Sequence, residues 1–186
     1  MQILTSINEW SSIKNIGTTM YLKKDELIFR KGDRSNKEVF IVKGIVRAFI
    51  TDEAGNEKST SFFQEGEFMS TLSLRTHNGV LMYNYQALCT TELLIFDSKQ
   101  LKDMLSKTKQ LSEIGKTIKE GELTRLINRD ECLVQVKSKD KYLKFISFYP
   151  NLERVISQRY IASYLGISPV SLSRLKKMLI VETDNN

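Results

Sequence analysis

The spacing of hydrophobic and polar positions changes twice along this chain. Between residues 22 and 96, short apolar stretches at 26–29, 39–42, 45–50, 59–63 and 93–96 are separated by turn-forming clusters: Lys31-Gly32-Asp33, Lys43-Gly44, Glu53-Ala54-Gly55-Asn56 and Gln64-Glu65-Gly66-Glu67. Short strands at this spacing predict a sandwich or barrel, with glycine placed where the chain must reverse. After Asp97, which with Ser98 is a candidate helix N-cap, glycine and proline nearly vanish until Pro150. Leu111, Ile114, Ile118, Leu123, Leu126, Ile127 and Leu133 then recur mainly every three to five residues, which predicts a long helix. That stripe fits a helix packed on its own domain as well as a dimer seam, and Gly121 either lets two such helices approach closely or merely weakens one. A further helix over 139–148 ends before Tyr149-Pro150, because proline restricts the residue before it.

Residues 158–177 read Gln-Arg-Tyr-Ile-Ala-Ser-Tyr-Leu-Gly-Ile-Ser-Pro-Val-Ser-Leu-Ser-Arg-Leu-Lys-Lys, a pattern of two short helices joined by a tight turn. Ala162 is small where the helices would cross, and Gly166 can take the positive φ of the turn. Ile161, Leu165, Ile167, Leu172 and Leu175 supply a shared core. Ser157 can cap the first helix and Ser168 the second, with Pro169 at the first helical position, where a missing N–H costs nothing. The second helix would expose Pro169, Val170, Ser171, Ser173, Arg174 and Lys177, a face suited to a DNA major groove.

Composition adds charge placement. The chain has 186 residues, 41% hydrophobic and 27% charged, and a net charge of +6. Residues 137–186 hold nine basic and four acidic side chains, so most of the excess lies beside the helical pair. A basic excess there suits a polyanion, since each neutralised phosphate releases counterions. The first 21 residues lack a secretory pattern and no run of eighteen apolar residues follows, so the expectation is a cytoplasmic protein without a membrane partner. Cys89, Cys132 and His77 are too few for an all-protein zinc site, and His77 has no nearby nucleophile or phosphate-binding loop. Neither an enzyme nor a metal or other cofactor is expected.

Over nearly its whole length the sequence resembles the Crp/Fnr superfamily. The resemblance rests on residues 27–33, 39–47, 52–57 and 64–68, which look like the family's cyclic-nucleotide-binding β-roll, and on the helical pair above. It implies an α+β fold: a β-roll sensor domain over residues 1–110, a dimerisation helix over 111–136, and a helix-turn-helix domain over 137–186 with little or no wing. It implies a homodimer joined through Leu111, Ile114, Ile118 and Leu126. It also implies double-stranded DNA with a palindromic operator as partner, RNA polymerase as a candidate partner, and a small-molecule effector of unknown identity.

By the same resemblance Ser157, Gln158, Arg159, Ser168 and Ser171 fall at phosphate-contacting positions and Arg174 at a base-reading one. Lys177 is a further phosphate candidate, and Pro169 and Val170 replace charged residues common at the first recognition positions. The ligand pocket would be formed by Phe62, Gly66, Glu67, Phe68, Ser70, Thr71, Leu81, Met82 and Tyr83, although the apolar side chains among them fit simple filling of the roll better. Where cAMP-binding members carry Gly-Glu and Arg-Ser, this chain has Ser70-Thr71 and Leu81-Met82. No cation then meets the cyclic phosphate, so cAMP is not the expected effector. The alternative is a sensor of a cyclic nucleotide or other small ligand that uses unfamiliar pocket contacts.

Overall fold

The computed structural model describes residues 7–69 and 78–184. The chain divides into two compact units, one of Met1–Ala48 with Phe62–Thr124 and the other of Phe49–Ser61 with Arg125–Asn186. Helix α1 (Ile7–Lys14) opens the first unit, followed by β1 (Thr18–Leu22), β2 (Leu27–Phe29), β3 (Lys37–Lys43), β4 (Ile45–Thr51), β5 (Glu57–Gln64), β6 (Phe68–Met69), β7 (Asn84–Ala87) and β8 (Thr91–Asp97). These make two four-stranded sheets, ordered β1-β8-β3-β6 and β2-β7-β4-β5. Strands β1, β6 and β7 were not foreseen; β6 is only two residues long, and the other two lack a clear apolar run. Their residues, Thr-Thr-Met-Tyr-Leu and Asn-Tyr-Gln-Ala, interrupt the apolar pattern, and the edge strand β1 is exposed along nearly its whole length.

Side-chain direction in the first sheet explains the unbroken apolar runs of β3 and β8. Val39 and Ile41 from β3 and Leu93 from β8 meet Val46, Ala48, Phe63, Met69, Leu81 and Tyr85 in a core between the sheets. Phe40, Val42, Leu94 and Phe96 point the other way, into a second core with Ile13, Leu101, Leu111, Ile114 and Ile118. Successive strand residues face opposite sides, so a sheet covered on both faces loses the apolar-polar alternation. Gly44 turns the β3–β4 hairpin at φ +108°, and a Cβ there would sit 2.9 Å from the Thr91 backbone Cα. Glycine is required on both counts.

Asp97 caps α2 (Ser98–Leu105), its Oδ1 accepting from the N–H groups of Lys99 and Gln100 at 2.9 and 3.1 Å. The long helix α3 runs from Lys109 to Val134, and the division between the two units falls within it. The second unit continues with α4 (Ser138–Phe148), a 3-10 turn (Leu152–Arg154), α5 (Gln158–Leu165) and α6 (Pro169–Asp184). Tyr149, forced out of helical geometry before Pro150, ends α4 at φ −132° and ψ 65°. Its ring joins Phe145 and Tyr164 in a trio with centroids 5.2 to 6.1 Å apart, the aromatic centre of this unit. No helix among the described residues is long and apolar enough to cross a membrane.

Candidate nucleic-acid interface

Helices α5 and α6 are joined by a turn of three residues whose geometry follows from their types. Gly166 adopts the left-handed conformation (φ 66°, ψ 32°), and Ile167 N–H returns to the Ala162 carbonyl at 3.0 Å. Ser168 then caps α6: its hydroxyl accepts from Ser171 N–H at 3.0 Å, and Pro169 occupies the first helical position. Ser157 sits at the corresponding place before α5 with extended backbone, yet its hydroxyl makes no capping hydrogen bond. The expected pair of side-chain caps is therefore one.

Ile161, Ala162, Leu165 and Leu172 are wholly buried, so each helix spends one face on holding the other. Further anchors fix the pair within its unit. Lys141 Nζ donates to the Leu165 carbonyl at 3.4 Å, at the end of α5 where cations are favoured. Tyr142 donates to the Glu153 carboxylate, which also receives Lys176 Nζ at 3.2 Å. Burial, and then the Glu153 carboxylate, push the Tyr142 phenol far above its usual pKa and keep it a donor. From β5, Ser59 N–H donates to Ser163 Oγ at 3.2 Å and the two hydroxyls lie 2.8 Å apart. Ser163 Oγ donates to the Tyr160 carbonyl at 2.9 Å, so Ser59 supplies the hydrogen between the two.

What remains outside is the expected DNA-facing set: Ser157, Gln158, Arg159, Ser168, Pro169, Val170, Ser171, Arg174 and Lys177 are all exposed. On α6, Val170, Ser173, Arg174 and Lys177 recur at three- and four-residue intervals, a single strip turned from buried Leu172. Arg159 lies over the Tyr160 ring, 4.6 Å from its centroid, with Nη2 2.6 Å from the phenol oxygen.

Residues 19–108 match the cyclic nucleotide-binding domain family. The global nitrogen regulator of Nostoc sp. is 24% identical over 180 residues, covering 86% of this chain and 79% of that protein. Among solved structures, FixK2 of Bradyrhizobium japonicum superposes with a TM-score of 0.75 at 17% identity, over 90% of this chain and 86% of that one. The c-di-GMP-responsive global regulator CLP of Xanthomonas campestris gives 0.73 at 14% identity, over 95% and 92%. The chain has the fold of these regulators.

Among the described residues, those expected to line a ligand pocket lie in different places. Leu81 is buried in the core between the sheets with Tyr83 packed against it, whereas Phe68 lies in the second core, on the other side of the sheet. Met82 is exposed, and Phe62 is wholly buried in β5. Gly66 and Glu67 form the turn after β5, where Gly66 N–H bonds the Ile41 carbonyl and Glu67 Oε2 accepts from Gln64 N–H. Ser70 and Thr71 lie outside the described residues. An open groove of about 450 Å³ lies elsewhere, against Thr18, Met20, Lys37, Ile95, Asp97 and Gln100.

The sequence reading overlooked Arg47, only 1% exposed, whose Nε and Nη2 donate to Gln86 Oε1 at 3.1 and 2.8 Å. A lone arginine inside Ile45-Val46-Arg47-Ala48-Phe49-Ile50 was the available signal. Its neighbours Val46 and Ala48 enter the core between the sheets, so Arg47 points to the opposite face. Arg47, buried though it is, therefore lies outside the core between the sheets.

The expected dimer residues differ as well. Leu111, Ile114 and Ile118 are 3 to 6% exposed, enclosed by Ile13, Phe96 and Leu101 of their own chain. Leu126, by contrast, is 41% exposed, with Leu123 and Ile127 at 58 and 47%. At about 100° per residue these three sit roughly 80–180° around α3 from Ile118. One apolar stripe in the sequence is two faces on the helix, the first already occupied.

Proposed function

We propose that this chain is a homodimeric, sequence-specific DNA-binding transcription regulator, with α5 and α6 acting as its helix-turn-helix. The observation that carries the reading is the strip Val170, Ser173, Arg174 and Lys177, exposed on a helix whose other face is locked by Leu172, Ile161 and Ala162. A rigid helix that leaves cations and small side chains in water has the shape and charge for a major groove. The first turn of α6 carries Ser168 and Ser171, whose hydroxyls lie 2.8 Å apart and share one hydrogen, leaving one O–H for a phosphate oxygen. Dimerisation is assigned to Leu123, Leu126 and Ile127 of α3 rather than to the enclosed Leu111, Ile114 and Ile118.

The regulators among the relatives support this role. The roll is proposed to act without cAMP, either through an effector that needs no buried cation or as a scaffold. The test is selection of duplexes by the purified protein, followed by binding to the selected operator and to random DNA over a salt series. Arg174→Ala is expected to cost about 1–3 kcal/mol on the operator and to relax preference at one base pair per half-site. Lys177→Ala is expected to weaken both duplexes alike and to lower the log-log salt slope by about one unit. Failure to enrich any sequence would overturn the reading.

A further inference from the structure

The exposed strip of α6 contains one residue that neither charge nor hydrogen bonding explains. Val170 is 59% exposed at the second position of the helix, beside Pro169, which is also exposed and has no N–H to give. The nearest hydroxyls, Ser168 and Ser171, bond to each other. The leading turn of this helix therefore presents an apolar spot at the head of a row whose next members are Ser173, Arg174 and Lys177.

We infer that Val170 reads thymine, packing against the C5-methyl group of a base one or two pairs from the one Arg174 contacts; this rests on the DNA-reading role proposed above. The thymine methyl is the apolar feature of the major-groove edge, and a side chain without donor or acceptor can discriminate bases there through it. Val170 and Arg174 are four residues apart, a rise of about 6 Å along the helix, against 3.4 Å between base pairs. The two side chains thus fall on neighbouring base pairs of one half-site. The cation supplies attraction to the duplex, and the valine supplies the choice between thymine and the three bases without that methyl.

The experiment replaces each thymine of the selected operator in turn by deoxyuridine, which removes the methyl and keeps every hydrogen-bonding group. Binding is followed by fluorescence anisotropy for the unmutated protein and for Val170→Ala. At one position per half-site, the unmutated protein is expected to bind about fourfold more weakly for one replaced thymine, and about fifteenfold with both half-sites replaced, the worth of one buried methyl in each. Val170→Ala is expected to bind the thymine operator that much more weakly and to be indifferent to uracil. Because Val170 is exposed, the variant should melt with the parent protein. An operator without a uracil-sensitive position, or the same sensitivity in Val170→Ala, overturns the thymine contact while leaving DNA reading intact. A protein that enriches no duplex at all overturns both.

Discussion

The first sheet and the last helix pair use hydrophobic residues in opposite ways. In β3 and β8 both faces are buried, Val39 and Leu93 toward one core and Phe40 and Leu94 toward another, so those strands have no face left for a partner. Helix α6 buries Leu172 completely and leaves Val170, Ser173, Arg174 and Lys177 in water. The difference separates scaffold from the surface proposed to read DNA: a function is sought where a rigid element keeps a face unspent. The two faces of α6 separate most strongly at Leu172. Leu172→Ala should destabilise its unit by about 2–5 kcal/mol in urea unfolding, whereas Val170→Ala, two residues away, should change stability by less than about 0.5 kcal/mol. Equal effects would mean that the two faces of α6 are not distinct.

Helix α3 repeats the contrast along one element. Its inward row, Leu111, Ile114 and Ile118, belongs to its own core, and its apolar outward row is Leu123, Leu126 and Ile127. Leu126→Glu is expected to weaken dimerisation at least a hundredfold, about 2.7 kcal/mol, in sedimentation equilibrium. Ile118→Val should instead cost about 0.5–1.5 kcal/mol of folding stability and leave association unchanged. A dimer indifferent to Leu126→Glu would place the seam elsewhere.

These two rows show where the sequence could and could not be read. The turn of α5 and α6 was legible because its constraints are local: Gly166 for positive φ, Pro169 and Ser168 for the start of α6, alanine at position 162 for close packing. The α3 stripe was not, because the buried row continues from Ile118 through Glu122 and Arg125, which are 8 and 9% exposed. A search for apolar periodicity skips those charges and drifts onto the solvent face. The spread of the expected pocket residues has a related reason. Which side of a strand Phe68 or Arg47 faces is fixed by register between strands distant in sequence, such as the pairing of Phe40 with Phe68.

Burial also separates the two cysteines. Cys132 is fully enclosed and burial pushes its thiol up to about 11 from 9.0, while Cys89 is only partly covered. The unfolded chain loses that proton first as pH rises, so Cys132 should lower stability progressively between about pH 9 and 11. Urea midpoints across that range, parent against Cys132→Ala, should converge at high pH relative to pH 8. In the native protein a thiol reagent at pH 8 should modify Cys89 well before Cys132. Equal rates would contradict the enclosure of Cys132.

The smallest effect tests the two serines that precede the paired helices. Ser168 and Ser157 both have the residue type of a cap, but only the Ser168 hydroxyl is used as one, accepting from Ser171 N–H at 3.0 Å. Removing it leaves an N–H at the start of α6 without its side-chain partner, so Ser168→Ala should cost about 1 kcal/mol of stability. Ser157→Ala removes no capping bond and should change stability by less than about 0.5 kcal/mol. On DNA the order should flatten, because both hydroxyls are exposed at helix starts where N–H groups and the helix dipole favour phosphate. Thermal melting paired with anisotropy on operator DNA separates the effects: Ser157→Ala should weaken binding while melting with the parent, and Ser168→Ala should lose on both. If Ser157→Ala melts early and binds normally, Ser157 is a structural cap after all and its part in phosphate contact falls.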